Sequence, residues 1–107
     1  MTQTHTIHTI TTWTETIDAL RERDTRLNAA AACPPLEFPT VSNGFTLAVS
    51  YIYDAQRVVD GERPLSFGRG GQTAEALFES ALEWARYGIA YTPPGWEDVA
   101  SVFETLL

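Results

Sequence analysis

Three breaks limit how far any regular element of this chain can run: Pro34-Pro35, Gly68-Arg69-Gly70-Gly71 and Thr92-Pro93-Pro94-Gly95. Proline removes an amide donor and clashes with the preceding helical turn, while clustered glycine leaves the backbone too free to hold one. The 107 residues are thereby cut into four stretches. None contains the run of about eighteen apolar residues that a membrane span requires. One core and one domain, residues 1–107, fit this length.

The first stretch opens on Thr2, Thr4, Thr6, Thr9, Thr11 and Thr12, with Ile7 and Ile10 among them. Such β-branched residues suit a short strand or a loose lead-in over residues 1–10. Thr12-Trp13-Thr14-Glu15 then fits the capping box, in which the first and fourth side chains satisfy each other's orphan amides. Trp13, Ile17, Leu20, Leu27 and Ala31 recur at helical spacing, interrupted by Asp24. Glu22 and Arg26 are placed as an i,i+4 pair. A helix over about 12–32, stopped by Pro34-Pro35, is expected.

Residues 36–67 can be read in two periods. Phe45, Leu47, Val49, Tyr51 and Tyr53 alternate with smaller or polar residues, a period of two. Asn43-Gly44 and Asp60-Gly61 are hairpin dipeptides. Strands at about 36–42, 45–53, 56–59 and 63–67 follow. A rival reading is that Phe45, Ala48, Val49, Ile52, Ala55 and Val59 also fit a helix ending at Gly61. β-branched and aromatic enrichment favours the strands. Beyond the glycines, Thr73 is an N-cap for Ala74, Leu77, Phe78, Ala81, Leu82 and Ala85, a buried stripe that Gly88 is placed to end. Ile89-Ala90-Tyr91 suits a brief strand. Val99, Val102, Phe103 and Leu106 make the apolar side of a last helix. The expected fold is α+β: a small antiparallel β-meander (about residues 36–67) packed with three helices (about 12–32, 73–87 and 96–106). An all-α fold is the alternative.

Charge narrows the function. The formal net charge is −7, from fourteen carboxylates against seven cations, all arginine. Without lysine there is neither Schiff-base chemistry nor a phosphate-loop lysine. Residues 71–107 hold six acids (Glu75, Glu79, Glu83, Glu97, Asp98, Glu104) against Arg86 alone. Direct nucleic-acid binding needs clustered cations, and an anionic membrane repels such a chain. A basic protein surface is what this field attracts. Cys33 is the sole cysteine, so no intramolecular disulfide forms, and the N-terminus lacks the cationic start and apolar run of a secretion signal. A cytoplasmic location is expected.

The motifs argue against catalysis. Gly68 to Thr73 loosely follows a dinucleotide-loop pattern, but Pro64 marks the preceding segment as an edge, and a connector explains the glycines. His5 and His8 form H-x-x-H without the third and fourth ligands of a zinc site. Cys33 reads as a small apolar residue. No carboxylate sits in an apolar run of the kind that raises a pKa. Neither metal nor cofactor is called for, and the chain reads as a non-enzymatic protein.

What stands out is an acidic row. Glu75, Glu79 and Glu83 fall at i, i+4 and i+8, one above the other on a helix. Glu97 and Asp98 add charge at the head of the last helix. Trp84, Tyr87, Tyr91 and Trp96 cluster within thirteen residues, and Trp and Tyr dominate binding hot spots. Glu75, Glu79, Glu83, Trp84, Tyr87, Trp96, Glu97 and Asp98 are therefore the expected partner-binding residues. The expected function is an acidic inhibitor that occupies a nucleic-acid-binding surface of another protein, of the anti-CRISPR or anti-restriction type encoded by phages and mobile elements. The alternatives are an antitoxin or immunity protein covering a toxin's active site, or a small structural or assembly subunit.

Overall fold

In the computed structural model, which describes residues 2–32, 43–65 and 68–107, every regular element is a helix. They are α1 (Thr2–Arg23), a 3-10 turn (Thr25–Leu27), α2 (Asn28–Ala32), α3 (Gly44–Val59), α4 (Ala74–Ala90) and α5 (Glu97–Leu106). The α+β expectation is thus wrong. The fold is all-α, and among the described residues there is no strand. Residues 36–42, expected as the first strand, lie outside the described residues.

The meander fails at its two supposed turns, which are helix caps. Asn43 Oδ1 accepts from the amides of Phe45 (2.9 Å) and Thr46 (3.1 Å), while Thr46 Oγ1 accepts from the Asn43 amide at 2.8 Å. That reciprocal box starts α3. At the other end Asp60 is the C-cap and Gly61 follows at φ +84°, the left-handed position that glycine fills without strain. Between the caps, Phe45, Ala48, Val49, Ile52 and Ala55 form the buried face, with Thr46, Ser50 and Asp54 also buried beside them. The expected edge segment 63–67 forms no strand over Arg63–Leu65, and Ser66 and Phe67 lie outside the described residues.

The first helix is also misplaced by the capping-box signal. α1 begins at Thr2, and Thr12 lies within it, its hydroxyl donating to the His8 carbonyl at 3.0 Å. Thr9, Thr14 and Thr16 do the same to His5, Ile10 and Thr12. A hydroxyl turned back onto the preceding turn is satisfied inside a helix, so a threonine-rich run need not be extended. The helix stops at Asp24, whose side chain accepts from the Arg26 amide and caps the 3-10 turn. The expected Glu22–Arg26 pair gives way to Arg26–Asp24 at 2.6 Å.

α4 keeps its expected stripe: Leu77, Phe78, Ala81 and Ala85 are buried, and Thr73 Oγ1 caps by accepting from the Ala76 amide. Gly88 does not end it. The helix continues through Ile89 and Ala90, where a strand was expected, and Thr92 Oγ1 closes it by donating to the Gly88 and Ile89 carbonyls. Gly88 is glycine for another reason. A Cβ on Gly44 would lie 2.5 Å from the Gly88 nitrogen, and one on Gly88 would lie 2.9 Å from the Phe45 ring. Gly44 thus lies directly against the α4 backbone, and Gly88 leaves the space that the Phe45 ring fills.

Around that contact the core is aromatic. Trp13 meets Phe78 edge-on at 5.4 Å and Phe103 at 5.8 Å, and Phe45 meets Phe103 at 5.3 Å. Ile10, Ile17, Leu27, Ile52, Leu77 and Val99 fill the space between. Side chains from α1, α3, α4 and α5 thus share one apolar centre.

Candidate binding surface

Because Leu77, Phe78, Ala81 and Ala85 turn α4 inward, Glu75, Glu79 and Glu83 are left on its exposed side. Four residues advance a helix by about 6 Å, so the three carboxylates form a row about 12 Å long. None makes an ion pair or side-chain hydrogen bond among the described residues. Arg86, also exposed, lies on the same helix without pairing to them.

The row continues into aromatics. Tyr87 is the next residue in the i+4 series and Tyr91, the C-cap, the one after. They are 53% and 69% exposed, and their rings approach to 4.9 Å at a tilt of 45°. Trp84, half-buried against the core, meets Tyr87 edge-on at 5.7 Å. Exposed rings in van der Waals contact lose little further side-chain freedom when a partner covers them.

Trp96, Glu97 and Asp98 are placed differently. Trp96 is stacked on Phe45 at 6.2 Å and lies under the Arg26 guanidinium, 4.1 Å from its centroid. Arg26 also donates to the Gly95 carbonyl at 3.0 Å, pinning the turn before α5 to the 3-10 turn. Glu97 accepts from the Gly95 amide at 3.1 Å. The hydrogen bonds that Arg26 donates to Asp24, with the field of Asp98 and Glu97, hold Arg26 above its usual pKa, and the same bonds hold the Asp24 carboxyl below the usual range. These residues stitch α5 down, whereas Glu75, Glu79, Glu83, Trp84 and Tyr87 share the α4 surface.

A polar cluster that the sequence reading missed lies on α3. Asp54 is 1% exposed and accepts from Arg57 (3.0 Å), from Arg69 (3.0 Å) and from the Leu65 amide (2.9 Å). Arg69, 5% exposed, also donates to Ser50 Oγ at 3.0 Å and lies 3.5 Å from the Tyr51 ring centroid. The glycine loop therefore turns its one cation inward, onto a carboxylate. Arg57 three residues after Asp54 was the available signal; Arg69 was not predictable, because its partner is fifteen residues away across a loop.

His5 and His8 stand exposed on α1, and Cys33 lies outside the described residues. Among the described residues no three metal-ligating side chains converge. No described helix is long and apolar enough to cross a membrane. One polar cleft, of about 420 Å³, is lined by Leu20, Arg23, Asp24, Asp98, Ser101 and Val102. No family model, no curated protein and no solved structure matches this chain.

Proposed function

We propose that this chain is a non-enzymatic binding protein that applies the exposed side of α4 to a basic surface of another protein. The reading rests on one observation: Glu75, Glu79 and Glu83 are exposed in a row, unpaired with any cation among the described residues, and the row leads into the exposed Tyr87–Tyr91 pair. Unpaired charge on a regular element costs a little helix stability and creates a local negative potential. Surfaces that complement it most often serve nucleic acid, whose phosphates they otherwise hold. An inhibitor of the anti-CRISPR or anti-restriction type, blocking a nucleic-acid groove in the cytoplasm, is the function this best suits.

The test is competition. The purified chain is titrated against duplex DNA on a panel of DNA- and RNA-handling enzymes from the organism that carries the gene. Displacement that weakens as salt rises is the expected result. The triple variant Glu75→Gln, Glu79→Gln, Glu83→Gln is expected to bind about tenfold or more weakly. Unchanged affinity in that variant would remove the acidic row from the interface.

A further inference from the structure

We infer that Glu83, Tyr87 and Tyr91 form a receptor for an arginine side chain supplied by the partner, a claim that rests on the α4 reading above and specifies its chemistry. The argument comes from how this fold treats its own arginines. Arg21 pairs with Asp18 at 3.6 Å and lies 5.2 Å from the Tyr53 ring centroid. Arg26 pairs with Asp24 at 2.6 Å and lies 4.1 Å from that of Trp96. Arg69 pairs with Asp54 at 3.0 Å and lies 3.5 Å from that of Tyr51. For Arg26 and Arg69 a guanidinium is held by a carboxylate and lies close to an aromatic ring; Arg21 donates to the Tyr53 hydroxyl at 3.0 Å as well, and Arg57 pairs with Asp54 without a ring. Arginine suits both, since its planar fork bonds oxygen in the plane and stacks across it.

The sequence has three Trp and four Tyr. Trp13 is buried in the core, and Tyr51, Tyr53 and Trp96 each carry one of those arginines. Of the remaining three, Tyr87 meets both Trp84 and Tyr91, and none carries an arginine among the described residues. Their nearest acid on the helix, Glu83, stands one turn before Tyr87 with no cation of its own. The fourth set thus has an acid and rings, both exposed, without the guanidinium. Arg86 does not fill it: it makes neither an ion pair nor a ring contact among the described residues. Charge complementarity therefore names the occupant, an arginine on the docked protein. A lysine satisfies the acid but stacks less well on the rings.

Two peptides of equal length and charge, nine arginines and nine lysines, are titrated into the whole protein at fixed salt by calorimetry. Chemical shifts of the Tyr87 and Tyr91 rings are followed in parallel. The arginine peptide is expected to bind about three- to fivefold more tightly and to move both ring signals. In the double variant Tyr87→Leu, Tyr91→Leu, at positions whose exposure makes folding insensitive to the change, that preference falls to about onefold while salt-dependent binding of both peptides persists. Equal affinity of the native protein for both peptides overturns the arginine receptor and leaves the acidic row standing. A preference that survives loss of both tyrosines overturns it too, by placing recognition elsewhere. Binding of neither peptide overturns the α4 reading itself.

Discussion

α3 and α4 carry polar side chains at the same spacing and use them in opposite directions. Thr46, Ser50 and Asp54 stand at i, i+4 and i+8 on α3 and are all buried. Glu75, Glu79 and Glu83 stand at i, i+4 and i+8 on α4 and are all exposed. On α3 the charge is answered within the chain, by Arg57, Arg69 and the Leu65 amide. On α4 no cation among the described residues answers it. A row of equal pitch is thus a structural clasp in one helix and a free surface in the other. The difference is set by whether a guanidinium reaches it, not by the pattern itself.

Four experiments press on that contrast. The largest effect is expected for Asp54→Ala, which leaves two guanidinium groups without their shared carboxylate. Stability in urea denaturation should fall by about 3–5 kcal/mol, as when one member of a buried ion pair is removed. A loss below about 1 kcal/mol would show the clasp to be dispensable. Next comes Gly44→Ala, whose methyl group meets the α4 backbone at 2.5 Å. Forcing the helices apart should cost roughly 1–3 kcal/mol, read as a lowered melting temperature.

Tyr53 provides a smaller, pH-dependent effect. Burial, followed by its hydrogen bond to Asp18, pushes its pKa up to about 12 from 10.0. The folded state therefore holds the phenol proton more firmly than the unfolded chain does. That contribution is complete below about pH 10 and is lost as pH rises toward 12. Tyr53→Phe removes the hydroxyl's bonds to Asp18 and Arg21, at about 1 kcal/mol near neutral pH, and should flatten this alkaline decline. A decline of the same steepness in the variant would assign it to other groups. The smallest change is expected for the three-glutamine variant of α4. Relief of like-charge repulsion, a few tenths of a kcal/mol per pair, is offset by the loss of the Glu75 charge from the first turn of α4, so low-salt melts should move by less than about 0.5 kcal/mol. A clear destabilisation would mean that the row is not free.

The same two helices show what the sequence displays and what it hides. α4 is read correctly because one side faces water: its apolar stripe and its acids separate at a single period. α3 carries a helical stripe too, Phe45, Ala48, Val49, Ile52 and Ala55, but none of its residues is exposed, so no charged side sets the stripe off, and its β-branched and aromatic residues argue for a strand. Tyr51 and Tyr53 fill alternate positions for separate reasons, one under Arg69 and the other beside Arg21, and this imitates a strand. Asn43-Gly44 misleads because asparagine and glycine serve a cap and a close helix contact as readily as a hairpin turn. Gly44 answers to Gly88, forty-four positions later, a relation that no local window contains. The acidic row was legible from spacing alone. The arginine–aromatic pairings were not, since Arg26–Trp96 and Arg21–Tyr53 link distant parts of the chain.

The glycine contact also bears on how α4 meets anything outside the molecule. Side chains can change rotamer and let a helix roll or slip by a notch; two backbones in direct contact leave no such play. Glu75, Glu79 and Glu83 are consequently offered at a fixed azimuth, like graduations on a ruler clamped at one point. A docking protein need not organise this side of the interface, so little of the binding energy is consumed in ordering it.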